Sequence, residues 1–199
     1  MVLFCQKKLM HLLHLIIFFL AVGSVALMFY ALLVETGNIV NLPKKRIGFY
    51  NFCLWNETIE DLQCLMIKDF EKIDIHQAVI AVARVLVYCP LVICLFSLHL
   101  IVHVQGSNDR MEWELILMML GITTIMLPGG LSLFLFQVWT WIQVSELSVG
   151  FIALAGAQVL LVLQLVAAAT YLKISNSLES IHKQGHHQML PESRHSFEK

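Results

Sequence analysis

The stretch HLLHLIIFFLAVGSVALMFYALLV, from His11 to Val34, contains no Asp, Glu, Lys or Arg. It is long enough to cross a hydrocarbon core of about 30 Å, which requires about 20 helical residues. Three further stretches have the same character: Val85 to Val104, Leu115 to Ile142, and Leu147 to Leu172. In lipid, an open chain satisfies its own backbone groups only as a helix. The pattern therefore predicts an all-α membrane protein with a bundle of four transmembrane helices.

The composition supports this class. Hydrophobic residues make up 58% of the 199 residues and charged residues 14%, and the mean hydropathy is +0.76. Soluble domains contain about 45 to 50% apolar residues, so the lipid bilayer is the expected solvent. The formal net charge of −1 gives no basic character that would indicate nucleic acid as a partner.

Hydropathy alone does not define the turn between the third and fourth stretches or the role of the first stretch. The third and fourth stretches are separated only by residues 143–146, but one continuous helix would be about 87 Å long, so the chain must turn back at Ser145-Glu146. Lys7 and Lys8 precede the first stretch, as basic residues precede the apolar region of a signal peptide. That apolar region is only about 7 to 15 residues long, and the first stretch is longer. We therefore expect a retained first span, a single membrane domain over residues 1–172, and a polar cytosolic tail over residues 173–199.

The loop over residues 35–84 indicates the orientation. It contains Cys53, Cys64 and the glycosylation sequon Asn56-Glu57-Thr58. Disulfides persist in oxidising compartments, and such sequons are modified in secreted or outward-facing loops. We expect an extracellular or lumenal loop with both termini cytosolic, in the plasma membrane or a secretory-pathway membrane.

The same loop contains two runs that favour strands: RIGFYNFCLW from Arg46 to Trp55, and LQCLMI from Leu62 to Ile67. The polar segment between them is turn-like. The sequence predicts a small antiparallel β-sheet between the first and second helices, tied by a Cys53 to Cys64 disulfide. Closing so short a loop contributes roughly 3 kcal/mol on the chain-entropy model. The alternative is two free cysteines.

Six loop residues are candidate site residues. Arg84 stands at the outer edge of the second span and Glu35 ends the first. Either Arg84 turns inward to bond Glu35 or loop carbonyls, as a structural ion pair or anchor, or it snorkels into water. The loop also has more aromatic side chains than a small sheet easily buries, and exposed aromatics anchor protein interfaces. These interaction candidates are Phe49, Tyr50, Phe52 and Trp55.

Catalytic and metal motifs are absent from the sequence. It contains no P-loop, GxSxG, HExxH or paired zinc-type cysteines, so we expect no enzyme activity and no cofactor. The pairs His11/His14 and His99/His103 each lie on one helix face and are suited to metal binding or titration near neutral pH. The same spacing is also typical of interfacial histidines that reach lipid headgroups and water. We favour this interpretation and predict no metal site.

Several segments resemble known families. Gly48-Phe49-Tyr50-x-x-Cys53, followed by Cys64, is similar to the Gly-Leu-Trp-x-x-Cys…Cys signature of claudins and peripheral myelin proteins. The resemblance to the transmembrane protein 140 family is closer and implies a four-span topology without an established activity. It rests on LMFYALL (Leu27 to Leu33), RIGFYNFCLWNE (Arg46 to Glu57), GGLSLFL (Gly129 to Leu135) and GFIALAGAQ (Gly150 to Gln158). The second outer loop is too short for a claudin-type adhesive hairpin, so tight-junction adhesion is not expected.

Two functions fit this architecture. The first is a non-enzymatic lateral interaction or regulatory partner of other membrane proteins, with a homo-oligomer as one form of association. The alternative is a claudin-like pore or channel subunit. A conducting path normally requires polar or charged lining groups, and the four spans contain no Asp, Glu, Lys or Arg. We therefore favour the first function.

We predict that Asn56 carries a glycan, because the loop is expected to face the lumen during synthesis. Treatment of the expressed protein with a glycosidase should increase its gel mobility, and Asn56→Gln should abolish the shift. A wild-type protein that reaches the cell surface without any glycan would contradict the prediction.

Overall fold

The computed structural model describes residues 2–57, 60–65, 76–107 and 110–188. Within these ranges, four helices are long and apolar enough to cross a membrane, as the sequence predicts. The helices are α1 (Val2–Phe29), extended by a π-helical turn (Tyr30–Val34), α2 (Gln77–Ser107), α3 (Arg110–Val138) and α4 (Val149–Gln188).

The helices extend beyond the predicted apolar stretches. Helix α2 begins at Gln77 rather than near Val85, so Arg84 lies two turns inside it. Helix α4 continues past Leu172 to Gln188, and a large part of the predicted polar tail is therefore helical. Hydropathy marks the part of a helix that lies in lipid, whereas backbone bonding continues into water wherever helix-forming residues follow.

The four helices form a bundle in which α1 packs on α4 and α2, while α3 packs on α2 and α4. Small residues allow close contact, as expected in membranes. A Cβ atom built on Gly130 of α3 would lie 2.7 Å from the Val87 side chain of α2. On the α1–α4 side, a Cβ atom on Gly23 would lie 3.1 Å from Leu160.

Among the described residues, hydrogen bonds join α1 and its π-helical extension to α2 near each end of the pair. Near the loop, the Tyr88 hydroxyl donates to the Leu32 carbonyl, which belongs to the π-helical turn, over 3.3 Å. At the opposite end, Nε2 of the buried His14 lies 3.1 Å from the Ile101 carbonyl oxygen. This nitrogen must carry the ring proton to donate to a carbonyl. Each bond gives a polar side chain a partner inside the bundle.

The loop between α1 and α2 forms a four-stranded antiparallel sheet in the order β1-β2-β3-β4. The strands are β1 (Asn38–Leu42), β2 (Lys45–Gly48), β3 (Phe52–Asn56) and β4 (Asp61–Cys64). Cys53 and Cys64 are direct partners on β3 and β4 and form the predicted disulfide. The sheet prediction is confirmed, and a bond between these two strands fixes their register.

The sheet has more strands than expected. Strand β1 lies outside the two runs that the sequence indicates as strands, and the run from Arg46 to Trp55 divides into β2 and β3 instead of forming one strand. The division follows Gly48, which accommodates a very close backbone approach. A Cβ atom at Gly48 would lie 2.7 Å from both the Asn38 Cα and the Gly37 carbonyl oxygen.

The connection between α3 and α4 covers the outer edge of β1. Leu147 forms an isolated antiparallel bridge with Val40. The Ser148 amide donates to the Ile39 carbonyl over 2.8 Å, and the Ser148 hydroxyl donates to the Asn38 carbonyl over 2.8 Å. An edge strand otherwise presents unpaired backbone groups, so these bonds attach the sheet to the far side of the bundle.

We predict that Gly48→Ala destabilises the protein by about 1 to 3 kcal/mol, the usual cost of forcing atoms into a packed site. The close neighbours are backbone atoms, which cannot move away as a flexible side chain can. The measurement is the midpoint of thermal or denaturant unfolding in detergent.

Gly129→Ala is the matched control, because no neighbouring atom lies within 4 Å of the position that a Cβ atom would occupy there. Replacing glycine within a helix is expected to stabilise it by about 0.5 to 1 kcal/mol. Equal midpoints for Gly48→Ala and the wild type would show that the β1–β2 approach does not require glycine.

Candidate functional site

The turn between β2 and β3 inserts Phe49 into the bundle. The Phe49 side chain is 0% exposed, and its ring centroid lies 4.5 Å from that of Phe134 on α3 and 6.2 Å from that of Tyr88 on α2. The Phe49 amide also donates to the Gly37 carbonyl over 3.1 Å. The turn is therefore attached both to the helices and to the segment that follows α1.

Arg84 binds this turn from α2. Its Nε donates to the Phe49 carbonyl over 2.6 Å, and the guanidinium carbon lies 4.7 Å from the centre of the Tyr50 ring. Glu35 instead accepts hydrogen bonds from the Tyr30 hydroxyl and the Asn41 amide, over 3.0 and 3.2 Å. Of the partners expected for Arg84, the structure therefore shows a loop carbonyl and not Glu35. Helix α2 begins early enough to bring Arg84 under the β2–β3 turn.

The four aromatic candidates divide into two pairs. Phe49 and Phe52 are buried, and the Phe52 ring meets Trp141 edge to face with centroids 5.9 Å apart. Tyr50 is 58% exposed and Trp55 is 37% exposed. The first pair thus packs the sheet against the bundle, and only Tyr50 and Trp55 are accessible to a partner. The sequence alone does not distinguish the two pairs, because the turn at residues 49–51 breaks the alternation of faces along the strands.

A salt bridge connects the sheet to the α3–α4 connection. The Nζ of Lys45 on β2 lies 2.5 Å from Oε2 of Glu146, and both side chains are partly buried. The Gln143 amide donates to the same carboxylate oxygen over 3.1 Å. The hydrogen bond from Lys45, and then that from the Gln143 amide, lower the pKa of Glu146 below its ordinary value. The two charged residues are 101 positions apart, so no local sequence signal indicates the pair.

The remaining candidates occupy separate places. Asn56 donates through Nδ2 to the Gln63 side-chain oxygen over 2.9 Å, while Thr58 of the sequon lies outside the described residues. Nδ1 of His103 lies 3.3 Å from a Glu112 carboxylate oxygen. In the described part of the chain, no three His, Cys, Asp or Glu side chains come close enough together to hold a metal ion.

The site thus consists of a disulfide-tied sheet attached at several points to one end of the bundle. Its accessible aromatic side chains are Tyr50 and Trp55. In a comparison with protein families, residues 6–184 match the TM140 protein family. The matched range contains the sheet and nearly the full length of all four helices.

We predict that the Lys45–Glu146 pair makes stability depend on pH in the acid range. Glu146 has a lowered pKa in the folded protein, so its contribution is fully present above the unfolded glutamate pKa of about 4.3. It is lost as the pH falls through the lowered value. Glu146→Gln should therefore melt below the wild type at neutral pH, and the two should converge in acid.

The exposed Glu60, in the turn between β3 and β4, provides the control, since Glu60→Gln removes a carboxylate that has no comparable salt bridge among the described contacts. The measurement is the melting temperature in detergent across the pH range. A wild-type to Glu146→Gln difference that persists unchanged below the glutamate pKa would contradict the assignment to this ion pair.

Proposed function

The chain belongs to the TM140 protein family, and from this membership and the fold we propose that it is a non-catalytic lateral partner or regulator of other membrane proteins. The binding surface is the sheet, with Tyr50 and Trp55 as the anchoring side chains. A second copy of this chain is one such partner and would give a homo-oligomer.

The observation that carries this proposal is that exposed aromatic side chains stand on a firmly attached sheet. The attachments are the buried Phe49, the Arg84 bond to its carbonyl, the Lys45–Glu146 pair and the Ser148 bonds to β1. A surface that is already ordered loses little conformational entropy when it binds, so more of the contact energy becomes affinity. Tyrosine and tryptophan are also the residue types that most often dominate binding energy at interfaces.

The interior of the bundle supports a non-catalytic and non-conducting role. Among the described residues, the buried polar side chains are His14, Ser24, Asn38, Ser97, Thr123 and Gln164, and none carries a permanent charge. The Ser24 and Ser97 hydroxyls donate to carbonyls of their own helices. Neutral groups of this kind do not provide the charged lining that ion conduction normally uses.

The proposal includes an orientation. We place the sheet on the extracellular or lumenal side, with both termini in the cytosol, in the plasma membrane or a secretory-pathway membrane. The disulfide between Cys53 and Cys64 supports this side, because disulfides persist in oxidising compartments. A glycan on Asn56 belongs to the same proposal.

The test is site-specific photo-crosslinking in intact cells. A photoreactive phenylalanine analogue at Trp55 or Tyr50 should give a discrete protein adduct, whereas the same analogue at Phe19 should not. Phe19 is 67% exposed but lies within the apolar segment Lys8–Val34, where lipid is the expected neighbour. The adduct mass distinguishes a second copy of the chain from another protein.

A variant provides the quantitative readout. Trp55→Ser should lower the yield of the Tyr50 adduct about tenfold, which corresponds to about 1.4 kcal/mol of binding energy, and should leave the melting temperature nearly unchanged. Absence of protein adducts at both positions would refute the lateral-partner role. Reproducible ion-selective current from the purified chain in planar bilayers would favour the claudin-like pore instead.

A further inference from the structure

A groove runs between the end of α1, the β2–β3 turn and α2. Its volume is about 470 Å³, and it is lined by Leu32, Leu33, Thr36, Tyr50, Asn51 and Tyr88. Leucine side chains form one part of the wall, while hydroxyl and amide groups form another. The groove therefore combines an apolar part and a polar part within one opening.

The position of the groove relative to the bilayer restricts what it can hold. Leu33 is 49% exposed and lies in the last turn of the apolar segment Lys8–Val34. Glu35 and Thr36 follow directly, and the chain then enters β1. The groove therefore crosses the boundary between hydrocarbon and headgroups, where the molecules in contact with an exposed leucine are lipids.

Arg84 supplies a positive charge beside this groove. It lies one helical turn before Tyr88 on α2, and its guanidinium packs on the face of Tyr50. Among the contacts of the described residues, its bond to the Phe49 carbonyl uses one of the five N–H donors of arginine. The guanidinium group matches phosphate geometry with paired donors.

The adjacent carboxylate does not cancel this charge. Glu35 is next to Thr36 in the chain, but its two oxygens accept hydrogen bonds from Tyr30 and Asn41. The Arg84 guanidinium instead packs on the aromatic face of Tyr50 and donates to the carbonyl oxygen of a neutral peptide group. A cation with neutral partners at a membrane interface attracts the phosphate group of a lipid.

We propose that this groove is a phospholipid-binding site, in which the Arg84 guanidinium binds the lipid phosphate and an acyl chain lies against Leu33. The Asn51 side-chain nitrogen donates one hydrogen to Asn38 Oδ1 over 3.4 Å, and its second N–H is a further donor at the groove. The site requires only the bundle and the β2–β3 turn, so it does not depend on the lateral-partner function proposed above.

The test is native mass spectrometry of the purified full-length chain titrated with palmitoyl-oleoyl-phosphatidylglycerol. Diacylglycerol with the same acyl chains tests whether the phosphate is required for binding. Competition by inorganic phosphate tests whether phosphate alone, without the acyl chains, occupies the site. We expect saturable binding of the phospholipid, at least about tenfold weaker binding of diacylglycerol, and no competition by inorganic phosphate. A tenfold change is the scale of one charge-assisted hydrogen bond.

Variants connect binding to the groove. Arg84→Gln should weaken phospholipid binding about tenfold or more, and Arg84→Lys should recover part of it, because the charge remains while the paired donors are lost. Arg46→Gln is the matched control, since Arg46 is an exposed arginine on β2 of the same sheet. It should bind like the wild type.

A second variant keeps the test decisive if Arg84→Gln fails to fold. Leu33→Trp leaves Arg84 and its Phe49 bond in place but fills the apolar part of the groove from a half-exposed position. It should retain the melting temperature and lose phospholipid binding. Wild-type affinity in a folded Leu33→Trp variant, equal binding of diacylglycerol, or displacement by inorganic phosphate would each overturn the proposal.

Discussion

The position of the sheet depends on the insertion of Phe49 between α2 and α3. Its ring packs on Phe134 and Tyr88, while its backbone bonds to Gly37 and Arg84. Removing a phenylalanine from water contributes about 1.5 to 3 kcal/mol, and this adds to the Lys45–Glu146 pair and the Ser148 bonds in holding the loop in one orientation. Once the turn is inserted, the direction of β2 and β3 is determined, and β1 and β4 follow through antiparallel pairing.

A second constraint acts where the helices leave the lipid, because every polar group there needs a partner. Glu35 accepts hydrogen bonds from Tyr30 and Asn41, and Arg84 donates one of its five N–H groups to the Phe49 carbonyl. The π-helical turn that ends α1 contains the carbonyl that receives the Tyr88 hydroxyl. Such turns are frequent at functional sites. The hydrogen bond between Tyr88 and Leu32 gives the Tyr88 hydroxyl a partner, and the same two residues line the groove.

The sequence predicts the features that depend on composition or on near neighbours. Four apolar stretches, the Cys53 to Cys64 bond and an antiparallel sheet follow from hydropathy, cysteine placement and β-propensity. The Lys45–Glu146 pair depends on a contact across the fold, and no local pattern encodes it. Strand β1 is different, because it pairs with the adjacent β2 in a hairpin with Leu42 opposite Lys45, yet it lies outside the two runs that β-propensity selects. The division after Gly48 becomes evident only from the close approach of Gly37 and Asn38. Similarly, the aromatic residues are recognisable as a group, but only the turn geometry shows that Phe49 is buried and Tyr50 exposed.

Tyr50 belongs to both proposed surfaces, and this has a thermodynamic consequence. Its ring packs on Arg84 and Tyr88 and lines the groove, yet it remains more than half exposed. A lipid that orders Tyr50 removes part of the entropy cost that a protein partner would otherwise meet, whereas a lipid that pulls Arg84 away frees the ring. We therefore expect binding at one surface to change affinity at the other, and linkage requires the two changes to be the same factor. The sign of that coupling shows whether lipid orders the ring or releases it.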